Sequence, residues 1–143
     1  MLNWSHDYEI GNSRIDLQHE TFLGLVNEFQ QIRLAGHDKN KLCRTLREIC
    51  LYATFHFHSE ENVMTDCSYP DLEAHKLHHY TLLEILNNKV LGLQMGECNA
   101  KAIEEFLIHW FVQHVKREDM KIGQFLKETT LGDHAPPGGV QPD

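Results

Sequence analysis

The stretch NKLCRTLREICLYATFHFHSEENVMTD, from Asn40 to Asp66, decides how the chain folds. Its apolar residues Leu42, Leu46, Ile49 and Ala53 recur at alternating spacings of four and three, the period of a helix seam turned toward a core. Continued at the same spacing, the seam next meets His56, Glu60 and Val63. A histidine and a glutamate therefore stand, one turn apart on one face, where the pattern calls for leucine.

The same reading extends in both directions. Upstream, a helix from Ser13 to Leu34, stopped at Gly36, carries the seam Ile15, His19, Phe22, Val26 and Phe29. Downstream, a helix from about Pro70-Asp71 to about Gly92 carries Leu72, His75, His79, Leu82 and Leu86. A fourth runs from Asn99, a suitable N-cap, to about Thr129, with Ile103, Trp110 and His114 on its seam and Phe106 or Leu107 between them. No segment alternates as a strand does, and short links make neighbouring helices antiparallel. The expectation is an all-α fold, an up-down-up-down antiparallel four-helix bundle over residues 1–131, with an extended N-terminal arm that turns at Gly11-Asn12-Ser13. Residues 132–143, with Pro136-Pro137-Gly138-Gly139 and Pro142, are expected to be a disordered tail.

Composition narrows the partners. The chain has 143 residues, enough for one core, and a formal net charge of −8. That charge argues against nucleic acid or anionic membrane as a partner. No apolar run reaches the roughly 18 residues of a membrane span. Met1-Leu2-Asn3-Trp4-Ser5-His6-Asp7 has no basic start leading into an apolar stretch, so no signal peptide is expected and the location is read as cytoplasmic. Cys43, Cys50, Cys67 and Cys98 form no Cys-x-x-Cys pair and are read as free thiols, with Cys43 and Cys50 packing on one helical face. A monomer is expected.

Histidine is the unusual residue, with 11 in the chain. Five of them and Glu60 occupy core seams. Burying a polar group without a partner costs roughly 1–3 kcal/mol, and an unpaired charge costs far more. Six such groups in one small core must satisfy one another or a bound cation. His75 and His79 stack at i, i+4 as His56 and Glu60 do. His114 and Asp119 are five apart, about 140° around a regular helix, so spacing alone favours Glu118 over Asp119. His78, three residues after His75, is the nearest substitute ligand. His6, His37 and His134 fall in end segments or a loop, and His58 and His109 point away from the seams.

A nitrogen-rich donor set without thiolate argues against an iron–sulfur cluster or a cysteine-type zinc site. With Asp119 included, seven donors are too many for one zinc and suit two octahedral ions bridged by Glu60 and Asp119. Carboxylate-rich di-iron bundles carry Glu-x-x-His motifs, which this chain lacks. Neutral imidazoles leave a metal pair less anionic, which disfavours high oxidation states and favours reversible oxygen binding over oxygen activation.

These residues carry a resemblance. Over roughly residues 4 to 129 the chain resembles the hemerythrins, specifically the single-domain bacterial hemerythrins. The resemblance lies in the Trp4 arm, Ile15-Asp16-Leu17-Gln18-His19, His56-Phe57-His58-Ser59-Glu60-Glu61-Asn62-Val63-Met64, His75-Lys76-Leu77-His78-His79 and the run from Trp110 to Asp119. It implies two iron ions with an oxo or hydroxo bridge. His75, His79 and His114 would fill one iron, while His19 and His56 would hold the other and leave a position open for dioxygen. Glu60 and Asp119 would bridge, which prefers Asp119 to Glu118. Phe22, Met64, Trp110, Phe111 and Val115, adjacent to these residues, are the candidates for an apolar oxygen pocket. Phe111 is bulkier than the leucine common there, which bears on access and affinity.

The function so implied is reversible dioxygen binding by a non-enzyme: an oxygen carrier, store or delivery protein, with an oxygen-consuming enzyme as a possible recipient. Two other classes compete with it. One is an oxygen or redox sensor acting through a separate partner. The other is a di-iron enzyme, a peroxidase or nitric oxide reductase, which needs a proton route to the site; Tyr52 and His109 are the candidates for one.

Overall fold

Three side chains start three helices. Asn12 accepts the Ile15 N–H, Asp38 accepts the Lys41 N–H and Asn99 accepts the Ala102 N–H, each satisfying an amide that has no partner within its helix. In the computed structural model, which describes residues 2–36 and 38–134 (side chains through Thr129), they open α1 (Ser13–Leu34), α2 (Lys39–Asp66) and α4 (Ala100–His114). α3 (Leu72–Gln94) follows a turn at Pro70-Asp71. Gly36 and Gly96, both at φ 77°, end α1 and α3 in the left-handed region that glycine alone adopts freely.

The fourth rod is not one regular α-helix. After α4 comes a π-helical segment, Val115–Asp119, and then α5 (Met120–His134). Helix therefore reaches His134, three residues into the stretch read as a tail, and the rest of that stretch lies outside the described residues. α1 packs on α2 and on α4, and α2 packs on α3. This is the up-down-up-down antiparallel bundle that the seams called for. Among the described residues no helix is long and apolar enough to cross a membrane.

The bundle divides along its length. The end near the α1–α2 and α3–α4 turns has an apolar core, with Phe29, Leu46, Ile49, Leu86 and Leu107 fully buried. Leu107 takes the position that Phe106 also contested, and Phe106 lies only partly buried beside the core. Glu104, also buried, is matched by Arg33 at 2.7 Å and by Gln30. Toward the other end the seam positions become His19, His56, Glu60, His75, His79, His114 and Asp119, all buried. Beyond them a small cluster of Met64, Tyr69 and Ile122 closes the bundle. Met64, not the half-buried Val63, continues the α2 seam inward.

The N-terminal arm is pinned along its length. The Leu2 carbonyl accepts from Asn27, and the Ile10 and Gly11 amides donate to the Asp16 carboxylate at 2.7 and 3.2 Å. His6–Tyr8 forms one 3-10 turn, so the arm is extended on either side of it. It brings Tyr8 edge-on to Phe111, with ring centroids 5.6 Å apart. Ile10 lies so close to α5 that a Cβ on Gly123 would overlap its carbonyl. Replacing glycine by alanine inside a helix ordinarily stabilises by about 1 kcal/mol. Gly123→Ala is expected to do the reverse, losing about 1–3 kcal/mol as the arm is displaced. Denaturant midpoints of the two proteins check the sign.

Candidate metal centre

Two groups of donor atoms share two residues. Glu60, His75, His79, His114 and Asp119 form one group, and His19, His56, Glu60 and Asp119 the other; within each, one atom per residue lies within 4.8 Å of every other. The carboxylate oxygens divide between the groups. Glu60 Oε2 faces His19 at 3.3 Å and His56 at 3.1 Å, while Oε1 faces His75 at 3.3 Å and His79 at 2.9 Å. Asp119 Oδ2 faces His19 at 3.0 Å, while Oδ1 faces His75 and His114, each at 3.2 Å. Every imidazole points its Nε2 inward. Each carboxylate thus presents one oxygen to a three-histidine side and one to a two-histidine side.

Of these contacts, His19 Nε2 with Glu60 Oε2 and His75 Nε2 with Glu60 Oε1, each at 3.3 Å, are long hydrogen bonds. His79 Nε2, His114 Nε2 and both Asp119 oxygens are buried and make no hydrogen bond. Buried polar atoms in folded proteins are almost always satisfied. Buried donor atoms that converge with few hydrogen bonds among them are what a bound cation requires, so the residues fit bound metal.

Asp119 joins the site because of the π segment. A π turn closes i→i+5, as the Met120 amide does on the Val115 carbonyl, so a residue five positions on returns to the same face. That carries Asp119 under His114. Glu118, which regular helical spacing favours, points outward and pairs with His78 at 3.7 Å. The two rival ligands thus face each other outside the site. His58 and His109 are exposed, His6 pairs with Glu9 at the surface, and His37 and the His134 side chain lie outside the described residues.

Two of the outer ring nitrogens have partners that sequence reading missed, whereas His19 Nδ1 is buried without one. His56 Nδ1 donates to the Gln18 carbonyl oxygen at 2.8 Å, and Gln18 in turn donates to Ser59 at 3.0 Å. His79 Nδ1 donates to Glu61 at 2.9 Å. Each bond fixes the tautomer that leaves Nε2 free to face inward. Nothing in the sequence reveals these bonds, since each joins two helices.

Charge in the metal-free chain is set by the same contacts. Burial opposes a proton on His19 and His75, but Asp119 and Glu60 outweigh it and raise the pKa values to about 10 and about 9. His114 is raised as well, against the same opposition from burial, by Asp119 and Glu60. Burial works against ionisation of Glu60, yet the facing histidines hold its pKa well below the usual range, and Asp119 is lowered likewise.

Beside the two-histidine side lies a cavity of about 10 Å³, room for about one water molecule. His19, His56 and Asp119 meet it, and Phe22, Phe57, Trp110, Phe111 and Val115 enclose it. Four of the five expected pocket residues are therefore here. Met64 is not: it sits one turn beyond Glu60, on the far side of the carboxylates, packed with Tyr69 and Ile122. Phe57 takes part instead, its ring flat on His79 at 3.9 Å. The helical period could have found it, since Phe57 follows the buried Ala53 by one turn.

The family profile described as Hemerythrin HHE cation binding domain matches residues 11–126, which include all seven inward-facing donor residues. The chain belongs to the hemerythrin family. A bacteriohemerythrin of Stenotrophomonas maltophilia (strain R551-3) is 25% identical over 127 residues, covering 89% of this chain and 82% of its own length. A hemerythrin-like protein of Naegleria gruberi is 26% identical over 121 residues, covering 84% of this chain and 89% of its own. The crystal structure of a wild-type hemerythrin superposes with a TM-score of 0.81 at 25% identity, covering 88% of this hemerythrin chain and 98% of that one.

Two outcomes are expected. Asp119→Ala should reduce metal content by at least about half, because its carboxylate faces both donor groups, whereas Glu118→Ala should leave it unchanged; elemental analysis of the two purified variants decides. In the metal-free protein, the stability owed to His19 and His75 is complete below their ordinary pKa of 6.5 and is lost as pH rises through about 9 to 10. That owed to Glu60 and Asp119 is complete above the usual carboxylate range and is lost as pH falls. Thermal melts across pH should show a maximum between these limits. Metal uptake near neutrality should release protons, read as a buffer-dependent calorimetric heat.

Proposed function

We propose that Glu60 and Asp119 bridge two non-haem iron ions, one completed by His75, His79 and His114 and the other by His19 and His56, and that dioxygen is held reversibly on the two-histidine side, so that the protein carries, stores or delivers oxygen. One observation carries this reading. The side that is one histidine short is the side that opens onto the apolar cavity.

When bound, a pair of ferrous ions supplies two-electron redox chemistry toward dioxygen that reverses on release. The chain's own residues set the conditions for it. Five neutral imidazoles and two carboxylates keep the centre from becoming strongly anionic, which disfavours oxidation beyond the reversible step. Phe22, Phe57, Trp110, Phe111 and Val115 limit the cavity to about 10 Å³ and leave little room for water or anions beside the centre. Phe111, buried between Phe22 and Tyr8 and edge-on to His19 at 6.0 Å, restricts the space further. Gln18 holds His56 from behind, so the two-histidine side keeps its shape when its outer position is free. His19, His56 and Asp119 are the polar groups that meet the cavity.

The test is optical. The protein reduced without air and then given oxygen should develop visible charge-transfer absorption that disappears on removal of oxygen over repeated cycles. His56→Ala should weaken oxygen binding by at least about a hundredfold, since second-layer and ligand losses at metal sites have effects of about 10–100-fold and more. Rapid irreversible consumption of oxygen with turnover would replace the carrier reading by an enzyme.

A further inference from the structure

We propose that the Phe57 ring is the gate through which dioxygen passes between a surface groove and the metal centre, an inference that rests on the function proposed above. Between α2 and α3 the surface carries a groove of about 590 Å³. Exposed Thr54 and Tyr80 and half-buried Leu83 form its walls, and buried Phe57 and His79 form its floor. Phe57 also encloses the internal cavity on the two-histidine side. One residue therefore belongs to both spaces, and its ring is the partition between them.

The ring's surroundings suit a gate. It lies flat on the His79 imidazole, centroids 3.9 Å apart at 7°, and meets Trp110 edge-on at 5.7 Å. The ring makes no hydrogen bond, so aromatic stacking and burial in the core are what hold it in place. The groove is lined mainly by apolar atoms, which suits an apolar diatomic, and His58, Glu61 and Lys76 also border it. Trp110, half-buried on the other flank, is the competing wall. It stacks on His114 at 4.9 Å and 18° and meets Phe22 edge-on at 5.9 Å.

A gate acts on passage and so on both rates. Phe57→Ala should raise both the association and the dissociation rate of dioxygen by about tenfold or more. Thr54→Phe, at an exposed position, should narrow the groove and slow both rates by about threefold or more without disturbing the core, so the route stays testable if Phe57→Ala folds poorly or loads little iron. A readout without iron completes the set. In the metal-free protein, broadening of the buried Val115 methyl resonances by dissolved dioxygen should increase in Phe57→Ala and stay at the parent level in Trp110→Phe. Rates unchanged in both groove variants, or accelerated by Trp110→Ala alone, would overturn the route. If the parent protein forms no oxygen adduct while Val115 still responds to Phe57→Ala, the functional reading fails and the gate survives.

Discussion

Glu60 and Asp119 are almost wholly excluded from solvent, and a buried carboxylate without compensation costs several kcal/mol. Everything in the lower half of the bundle answers that constraint. Five imidazoles from four helical rods surround the two acids, and each acid divides its oxygens between two sets of them. In the metal-free chain protons supply the positive charge, which is why His19 and His75 hold theirs well above the ordinary range. The same donor atoms already converge, as a bound cation requires.

The fold provides this convergence by separating two tasks. The apolar end, around Phe29, Leu46, Ile49, Leu86 and Leu107, holds the four rods together through packing. The polar end can then hold groups that would otherwise drive the helices apart. The arm braces it from outside, since Tyr8 presses on Phe111 and Phe111 presses on both Phe22 and His19. The cavity beside the centre is therefore shaped partly by residues that precede the first helix of the bundle.

The two sides of the centre differ in their supports as well as in their donors. His56 leans on a neutral amide, Gln18, and His79 on a carboxylate, Glu61. An imidazole that donates to a carboxylate is the more basic donor. His79 is thus the more basic donor of the two, and the two-histidine side keeps the apolar cavity. The Phe57 ring lies on His79 and encloses that cavity, so it links the two sides through stacking alone.

Much of this was legible in the chain. Period 3.6 placed all four rods, and α1 runs from Ser13 to Leu34 as read. The seams placed His19, His56, Glu60, His75, His79 and His114 inside, because a polar residue in an apolar register is visible one helix at a time. Whatever depends on departures from regular geometry, or on pairs of helices, was not visible. Asp119 turns inward only because the backbone widens into a π segment at Val115–Asp119, and helical arithmetic pointed to Glu118 instead. Met64 was expected at the pocket by its nearness to Glu60 in sequence, but one turn of rise puts it past the carboxylates. Phe57, Gln18 and Glu61 act across helix interfaces whose register no single periodicity encodes. Sequence alone determined which residues turn inward, because that is a property of each helix by itself; the tertiary structure decided which of them meet, because meeting depends on the relative height and rotation of rods fixed by packing.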